Sequence, residues 1–130
     1  MTLVVFEGAD RTGKTTAKLM FNKSSKYKHL VADRLFYSNW VYSKLRRKTS
    51  EVDRSSFVTA CKQVSDVIPI VFILVTRPNL VSTYDHDQKF FKLFWGDWLN
   101  LTDTTGYVIQ NDGSKEDLRK KIDRLVGVLE

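Results

Sequence analysis

The strongest chemical signal in the sequence is a glycine-rich stretch near its start, Gly8-Ala-Asp-Arg-Thr-Gly13-Lys14-Thr15. It fits the pattern G-x-x-x-x-G-K-[ST] at every fixed position. Glycines let successive backbone N–H groups face inward, and a helix beginning at Lys14 would add its positive N-terminal end. Lys14 can then reach the β- and γ-phosphates of a nucleotide, and the Thr15 hydroxyl can ligate Mg²⁺. The spacing therefore predicts a phosphate-binding loop; the alternative is a strand-to-helix turn with a solvated lysine and a capping threonine.

A second pair of chemically active residues follows the next apolar run, in His29-Leu-Val-Ala-Asp33-Arg34. The carboxyl ends of parallel strands form the edge of a sheet at which ligands bind. Asp33 at that edge can hold Mg²⁺ through water or accept the proton of an attacking oxygen. Arg34 offers a planar fork for a second phosphate. The alternative interpretation is a local ion pair at the end of a surface strand.

These residues must be positioned by alternating strands and helices. Short, nearly continuous apolar runs, rich in β-branched residues, predict buried parallel strands at 2–6, 29–32, 68–75 and 107–110. Helical patterns lie between and after them, at 14–23, 36–48, 52–66, 88–101 and 115–129. The last pattern begins with Ser114-Lys-Glu-Asp117, which resembles a capping box. The alternation predicts a three-layer α/β domain with a short, mainly parallel sheet, occupying residues 1–130 as one domain.

Composition limits the class of protein. Hydrophobic residues make up 42% and charged residues 28% of the chain, as in ordinary globular domains. The single cysteine, Cys61, cannot form an internal disulfide, and only two histidines could join it at a zinc site. No apolar run approaches the length of a membrane span, and no signal peptide is indicated, so we expect a cytoplasmic protein without a membrane partner. The net charge of +6 suits anionic partners, either nucleotides or nucleic acid.

Three blocks of the sequence resemble the thymidylate kinases, including short phage kinases related to them. Residues 6–16 resemble the opening of that family, in which an acidic residue and often an arginine lie inside the loop. Asp33-Arg34-Leu-Phe-Tyr-Ser38 is similar to the Asp-Arg-Tyr signature, and residues 107–117 are similar to the last strand, the loop beside the adenine and the final helix. The resemblance implies a P-loop fold and transfer of a phosphoryl group from ATP to a deoxynucleoside monophosphate, with Mg²⁺.

The resemblance also assigns roles inside the loop and at the strand end. It implies that Asp10 contacts the sugar hydroxyl of the acceptor and that Arg11 supplies transition-state charge. The loop residues together would bind ATP, namely Asp10, Arg11, Thr12, Gly13, Lys14, Thr15 and Thr16. Asp33 and Arg34 would serve Mg²⁺ and the acceptor phosphate. Lys14, Arg11, Asp33 and Arg34 are thus the expected catalytic residues, and Thr15 and Asp33 the expected metal ligands.

The remaining positions concern the two bases. Asn111 and Gly113 match the loop beside the adenine. The family's second strand and thymidine-pocket helices are absent, because only about ten residues separate the first helix from the Asp-Arg strand. The acceptor base must therefore be held in another way, and one ring of Tyr37, Trp40 or Tyr42 could stack on it. The alternative is that these rings form a packed helix face.

The function predicted from the sequence is an ATP-dependent nucleotide kinase acting on a (deoxy)nucleoside monophosphate. Two alternatives stay open. One is a kinase for a nucleoside or for the 5′-hydroxyl of a polynucleotide, and the basic cluster at 46–48, within the basic run at 44–48, would favour the polynucleotide. The other is a non-catalytic module that binds a nucleotide or nucleic acid. Nucleic acid is thus a less favoured partner, and a homodimer is left open.

Overall fold

The computed structural model describes residues 1–8, 12–42, 51–77 and 92–130. Its centre is a four-stranded sheet in which all neighbouring strands are parallel. The strands are β1 (Leu3–Glu7), β2 (Leu30–Asp33), β3 (Ile70–Thr76) and β4 (Thr105–Gln110), in the spatial order β2-β1-β3-β4. β1 and β3 lie in the middle, which explains their continuous apolar sequences, because both faces of each strand are covered.

Helices cover the two faces of the sheet. They are α1 (Lys14–Ser24), α2 (Phe36–Tyr42), α3 (Glu51–Ser65), a π-helical turn (Phe94–Trp98) continuing into α4 (Leu99–Thr102), and α5 (Lys115–Leu129). α5 begins at the predicted capping box: the Ser114 hydroxyl accepts from the Asp117 N–H at 3.1 Å, and the Asp117 carboxylate accepts from the Ser114 N–H at 3.0 Å. This reciprocal pair fixes the start of the helix.

Two apolar clusters hold the layers together. One face of the sheet packs Phe21 of α1 and Ile122 of α5 against β1 and β3. The other face packs Tyr37 of α2, Cys61 of α3 and Trp98 of the π-helical turn against the same strands. The resulting arrangement is the three-layer α/β sandwich that the sequence predicts.

The predicted elements are confirmed with small shifts at their ends. Each strand lies within two residues of its predicted start and within one of its predicted end. The helical pattern at 36–48 is observed to residue 42, and the pattern at 88–101 is observed from residue 92, where it includes a π-helical turn that periodicity does not predict. The rest of both patterns, and the basic run at 44–48, lie outside the described residues. Within the described ranges, no helix has the length and apolar character needed to cross a lipid bilayer.

Candidate functional site

The phosphate-loop sequence lies where the pattern predicts, between the end of β1 and the start of α1. Gly8 has a φ of 146°, and a Cβ there would lie 2.5 Å from the Val75 carbonyl oxygen on β3. Gly13 has a φ of 89°, and a Cβ there would collide with the Asn111 side chain. Both positions therefore require glycine. Asp10 and Arg11 lie outside the described residues.

Asn111, directly after β4, connects this loop to the opposite edge of the sheet from β2. Its side-chain Nδ2 donates to the Thr12 carbonyl oxygen at 2.8 Å. Its backbone N–H donates to the Thr76 carbonyl oxygen at 2.7 Å, which anchors the residue at the end of β3. Asn111 thus contacts the phosphate loop itself, a role that the sequence did not reveal. Gly113, the other residue expected near the adenine, is exposed two residues further along.

Lys14 and Asp33 form the centre of the site. The Lys14 side chain is only 10% exposed, and its Nζ donates to Asp33 Oδ1 at the end of β2. Lys18, one turn further along α1, places its Nζ 3.6 Å from Asp33 Oδ2. Burial alone would raise the pKa of Asp33, but the hydrogen bond and charge of Lys14, with those of Lys18, hold it below its ordinary value. An ionised carboxylate therefore faces the Lys14 ammonium group.

Arg34 turns the chain back toward the phosphate loop. Its φ of 56° is left-handed, an uncommon conformation for a residue with a side chain. Its backbone N–H donates to the Phe6 carbonyl oxygen at 2.9 Å, and its guanidinium Nη2 donates to the Gly8 carbonyl oxygen at 3.3 Å. The structure thus brings Lys14, Asp33 and Arg34 together at the carboxyl edge of β1 and β2.

The three threonines of the motif differ in exposure. Thr12 is buried in the loop, Thr15 is exposed on the first turn of α1, and Thr16 is half-buried. From Thr16 an open groove of about 490 Å³ runs between α1 and α5, with Lys115 and Arg119 among its lining residues. The groove adjoins the phosphate loop on the side of α5.

The aromatic residues after Asp33-Arg34 do not face this edge, which corrects the stacking prediction for Tyr37 and Trp40. Both side chains are buried, and their ring centroids lie 6.2 Å apart. Tyr37 also packs 5.3 Å from Phe94, and Trp40 packs 5.5 Å from Trp98. The second helical layer covers the rings of Tyr37 and Trp40, so neither has a face available to a base. This agrees with the alternative prediction, in which these rings form a packed helix face. The side chain of Tyr42 lies outside the described residues.

Glu7, like Lys18, is a site residue that sequence reasoning missed. It is the last residue of β1 and is fully buried. Burial raises its pKa from 4.5 to about 7, although hydrogen bonds from Ser38 and Leu35 and the charge of Lys14 act in the opposite direction. The available signal was an ionisable residue that ends an apolar strand directly before the first glycine of the motif.

Comparisons with known proteins bear on the fold. No protein-family model matches the chain, and no curated protein matches it. Among solved structures, the chain is similar to the YorR protein from Bacillus subtilis, which was crystallised in complex with phosphorylated GDP. The match has a TM-score of 0.66 and 16% sequence identity, and it covers 98% of this chain and 97% of YorR. The chain therefore shares its α/β fold with a nucleotide-bound protein over essentially the whole length of both.

Proposed function

We propose that this protein is a nucleotide kinase that transfers the γ-phosphoryl group of ATP to a (deoxy)nucleoside monophosphate. The observation that carries the proposal is the arrangement of Lys14, Asp33 and Arg34 around a glycine-dependent loop at the carboxyl edge of two adjacent strands. A site that only bound ATP would need the loop and its lysine, but not a carboxylate and a guanidinium from the neighbouring strand. The similarity of the fold to nucleotide-bound YorR supports the same class of ligand.

In the proposed reaction the charged residues exchange partners. Lys14 leaves Asp33 for the β- and γ-phosphates of the donor, and Arg34 binds the phosphate of the acceptor. Thr15 and Asp33 offer a hydroxyl and an ionised carboxylate, which are the hard oxygen donors that Mg²⁺ prefers, so these residues fit the metal. Mg²⁺, when bound, would supply positive charge to the phosphates. By family resemblance, Asp10 contacts the acceptor sugar and Arg11 adds charge in the transition state.

In this proposal the base of the donor lies in the groove between α1 and α5. It begins at Thr16, which follows the phosphate-binding part of the loop, and it is lined by Lys115 at the start of α5. A donor whose phosphates lie in the loop would direct its ribose and base toward this groove. In this proposal Asn111 acts by holding the loop to which the phosphates bind.

The direct test is ADP release from ATP–Mg²⁺ with each ribo- and deoxyribonucleoside monophosphate as acceptor. Lys14→Met keeps the aliphatic stem of a largely buried side chain but removes its charge, and we expect kcat/KM to fall about 10²–10³-fold. Lys120→Met removes an equal charge from an exposed position on α5 and should leave turnover unchanged. Turnover unaffected by Lys14→Met would refute the kinase proposal.

The same assay separates the alternatives. Turnover only with unphosphorylated nucleosides, or only with polynucleotide 5′-hydroxyl ends, would replace the monophosphate by that acceptor. Saturable nucleotide binding without turnover on any acceptor would identify a non-catalytic binding module.

A further inference from the structure

A buried carboxylate lies between the phosphate loop and the Asp33-Arg34 turn. Glu7 Oε1 accepts a hydrogen bond from the backbone N–H of Leu35 at 3.0 Å, and Oε2 accepts one from the Ser38 hydroxyl at 2.5 Å. Leu35 directly precedes α2, and Ser38 is its third residue. The side chain of Glu7 therefore connects the end of β1 to the first turn of α2.

The neighbours of Glu7 on both sides make contacts to the same turn. Phe6 accepts from the Arg34 backbone N–H, Glu7 from the Leu35 N–H, and Gly8 from the Arg34 guanidinium. Three consecutive residues of β1 and the loop thus hold two consecutive residues of the turn. Because Arg34 has a left-handed backbone, the turn needs such contacts to keep its conformation.

We infer that Glu7 is a positioning residue whose carboxylate fixes the Asp33-Arg34 turn relative to the phosphate loop. This inference rests on the proposed kinase function, in which Lys14 binds the donor and Arg34 the acceptor. Phosphoryl transfer needs the two phosphates in line, and a displacement of about 1 Å can cost about 10²-fold in rate. A residue that fixes the distance between the two phosphate-binding groups therefore affects the reaction without touching either substrate.

The type of residue supports a positioning role over simple packing. An apolar side chain would fill the space between β1 and α2 without the desolvation that burying a carboxylate entails. It would, however, leave the Leu35 N–H and the Ser38 hydroxyl without the acceptor that they have here. The two oxygens of Glu7 fix the geometry of the turn. One accepts from the backbone N–H of Leu35, at the end of the turn, and the other accepts from the Ser38 side chain, in the first turn of α2.

Glutamine and leucine at position 7 separate positioning from burial. Glu7→Gln keeps an oxygen for the Leu35 N–H, and its amide can donate to the Ser38 hydroxyl, so we expect kcat and both KM values within about threefold of the original protein. Glu7→Leu removes both acceptors. We expect the kcat/KM for the acceptor to fall about 10²-fold while the Kd for ATP changes less than threefold.

A matched control is Thr102→Val on α4, where a buried hydroxyl donates to the Trp98 carbonyl oxygen at 2.8 Å. This variant loses a buried hydrogen bond away from the candidate site, so it should lose stability without losing turnover. If Glu7→Leu behaves like Thr102→Val, Glu7 is only structural and the inference is overturned. The inference is also overturned if Glu7→Gln is as inactive as Glu7→Leu, because the charge and not the acceptor geometry would then matter.

Amide hydrogen exchange of the ligand-free protein tests the tether without any activity. Relative to the control, the Leu35 N–H of Glu7→Leu should exchange at least tenfold faster, and that of Glu7→Gln should stay protected. Unchanged protection of Leu35 in Glu7→Leu would overturn the inference. An original protein that transfers no phosphoryl group would instead refute the proposed function, and the exchange result would still decide whether Glu7 holds the turn.

Discussion

Replacement of Glu7 by glutamine should change how stability depends on pH. Glu7 is fully buried, and burial raises its pKa from 4.5 in an exposed chain to about 7 in the folded protein. Between these values the folded chain holds a proton on Glu7 that the unfolded chain has lost. The unfolding free energy contributed by this proton is greatest below pH 4.5 and declines as the pH rises to about 7.

The size of the decline follows from the two pKa values. Each pH unit between them corresponds to about 1.4 kcal/mol, so most of the change falls between pH 5 and pH 8 and amounts to about 2 to 3 kcal/mol. Asp33 has a lowered pKa, and its contribution is lost only as the pH falls below the ordinary range of a carboxyl group. The two carboxylates therefore act in different pH windows and in opposite directions.

Urea unfolding followed by tryptophan fluorescence, at several pH values from 5 to 8, measures this effect. Glu7→Gln has nearly the same shape but no proton to lose, so subtracting its unfolding free energy cancels the contributions of all other groups. The difference between the original protein and the variant should fall by about 2 to 3 kcal/mol across this range. A difference that stays constant within about 1 kcal/mol would refute the claim that burial controls the Glu7 carboxyl group. A rise with pH would show that the attraction of Lys14 outweighs burial.

Two further predictions concern Asn111, which is bonded to the loop, and Arg34, which would bind the acceptor in the proposed reaction. Asn111→Asp keeps the shape of the side chain but cannot donate to the Thr12 carbonyl oxygen, so we expect the Kd for ADP to rise at least tenfold. Calorimetry measures this Kd, and an unchanged value would contradict a role for Asn111 in holding the loop. Arg34→Ala should raise the KM for the acceptor by about 1.5–3 kcal/mol, or about 10- to 150-fold, with the KM for ATP within threefold. Equal effects on the two KM values in steady-state kinetics would contradict an acceptor-specific role, and a larger effect on ATP would place Arg34 on the donor side.

The parts of the site that sequence predicts are those fixed by local spacing. The turn from β1 to α1 contains Gly8, Gly13 and Lys14. The spacing of these neighbouring residues is enough to predict its backbone conformation. The position of Asp33 is predicted because parallel strands end at a common edge, so the last residue of β2 lies near the loop after β1 when the two strands are neighbours. For these residues, local spacing and the parallel arrangement of neighbouring strands indicate which side chains meet.

The parts that sequence did not predict depend on contacts between distant segments. Asn111 lies 99 residues from Thr12 along the chain, and nothing in its own segment indicates that its amide reaches the loop. Tyr37 and Trp40 have the same helical spacing whether they face a ligand or a core. The positions of Phe94 and Trp98, which come from a later part of the chain, decide that they are buried.

The ligand-free site is held together by the charges that the proposed reaction would use. Lys14 is bonded to Asp33 at the end of β2, and Arg34 is bonded to the Gly8 carbonyl oxygen at the start of the loop. In the proposed reaction a nucleotide phosphate would replace Asp33 as the partner of Lys14, which would leave the ionised Asp33 carboxylate with Lys18 alone and available to a metal ion. Glu7 makes no such exchange, because its hydrogen bonds to Leu35 and Ser38 join parts of the protein alone. Glu7 can therefore keep the Asp33-Arg34 turn fixed relative to the phosphate loop while the more exposed Asp33 changes partners.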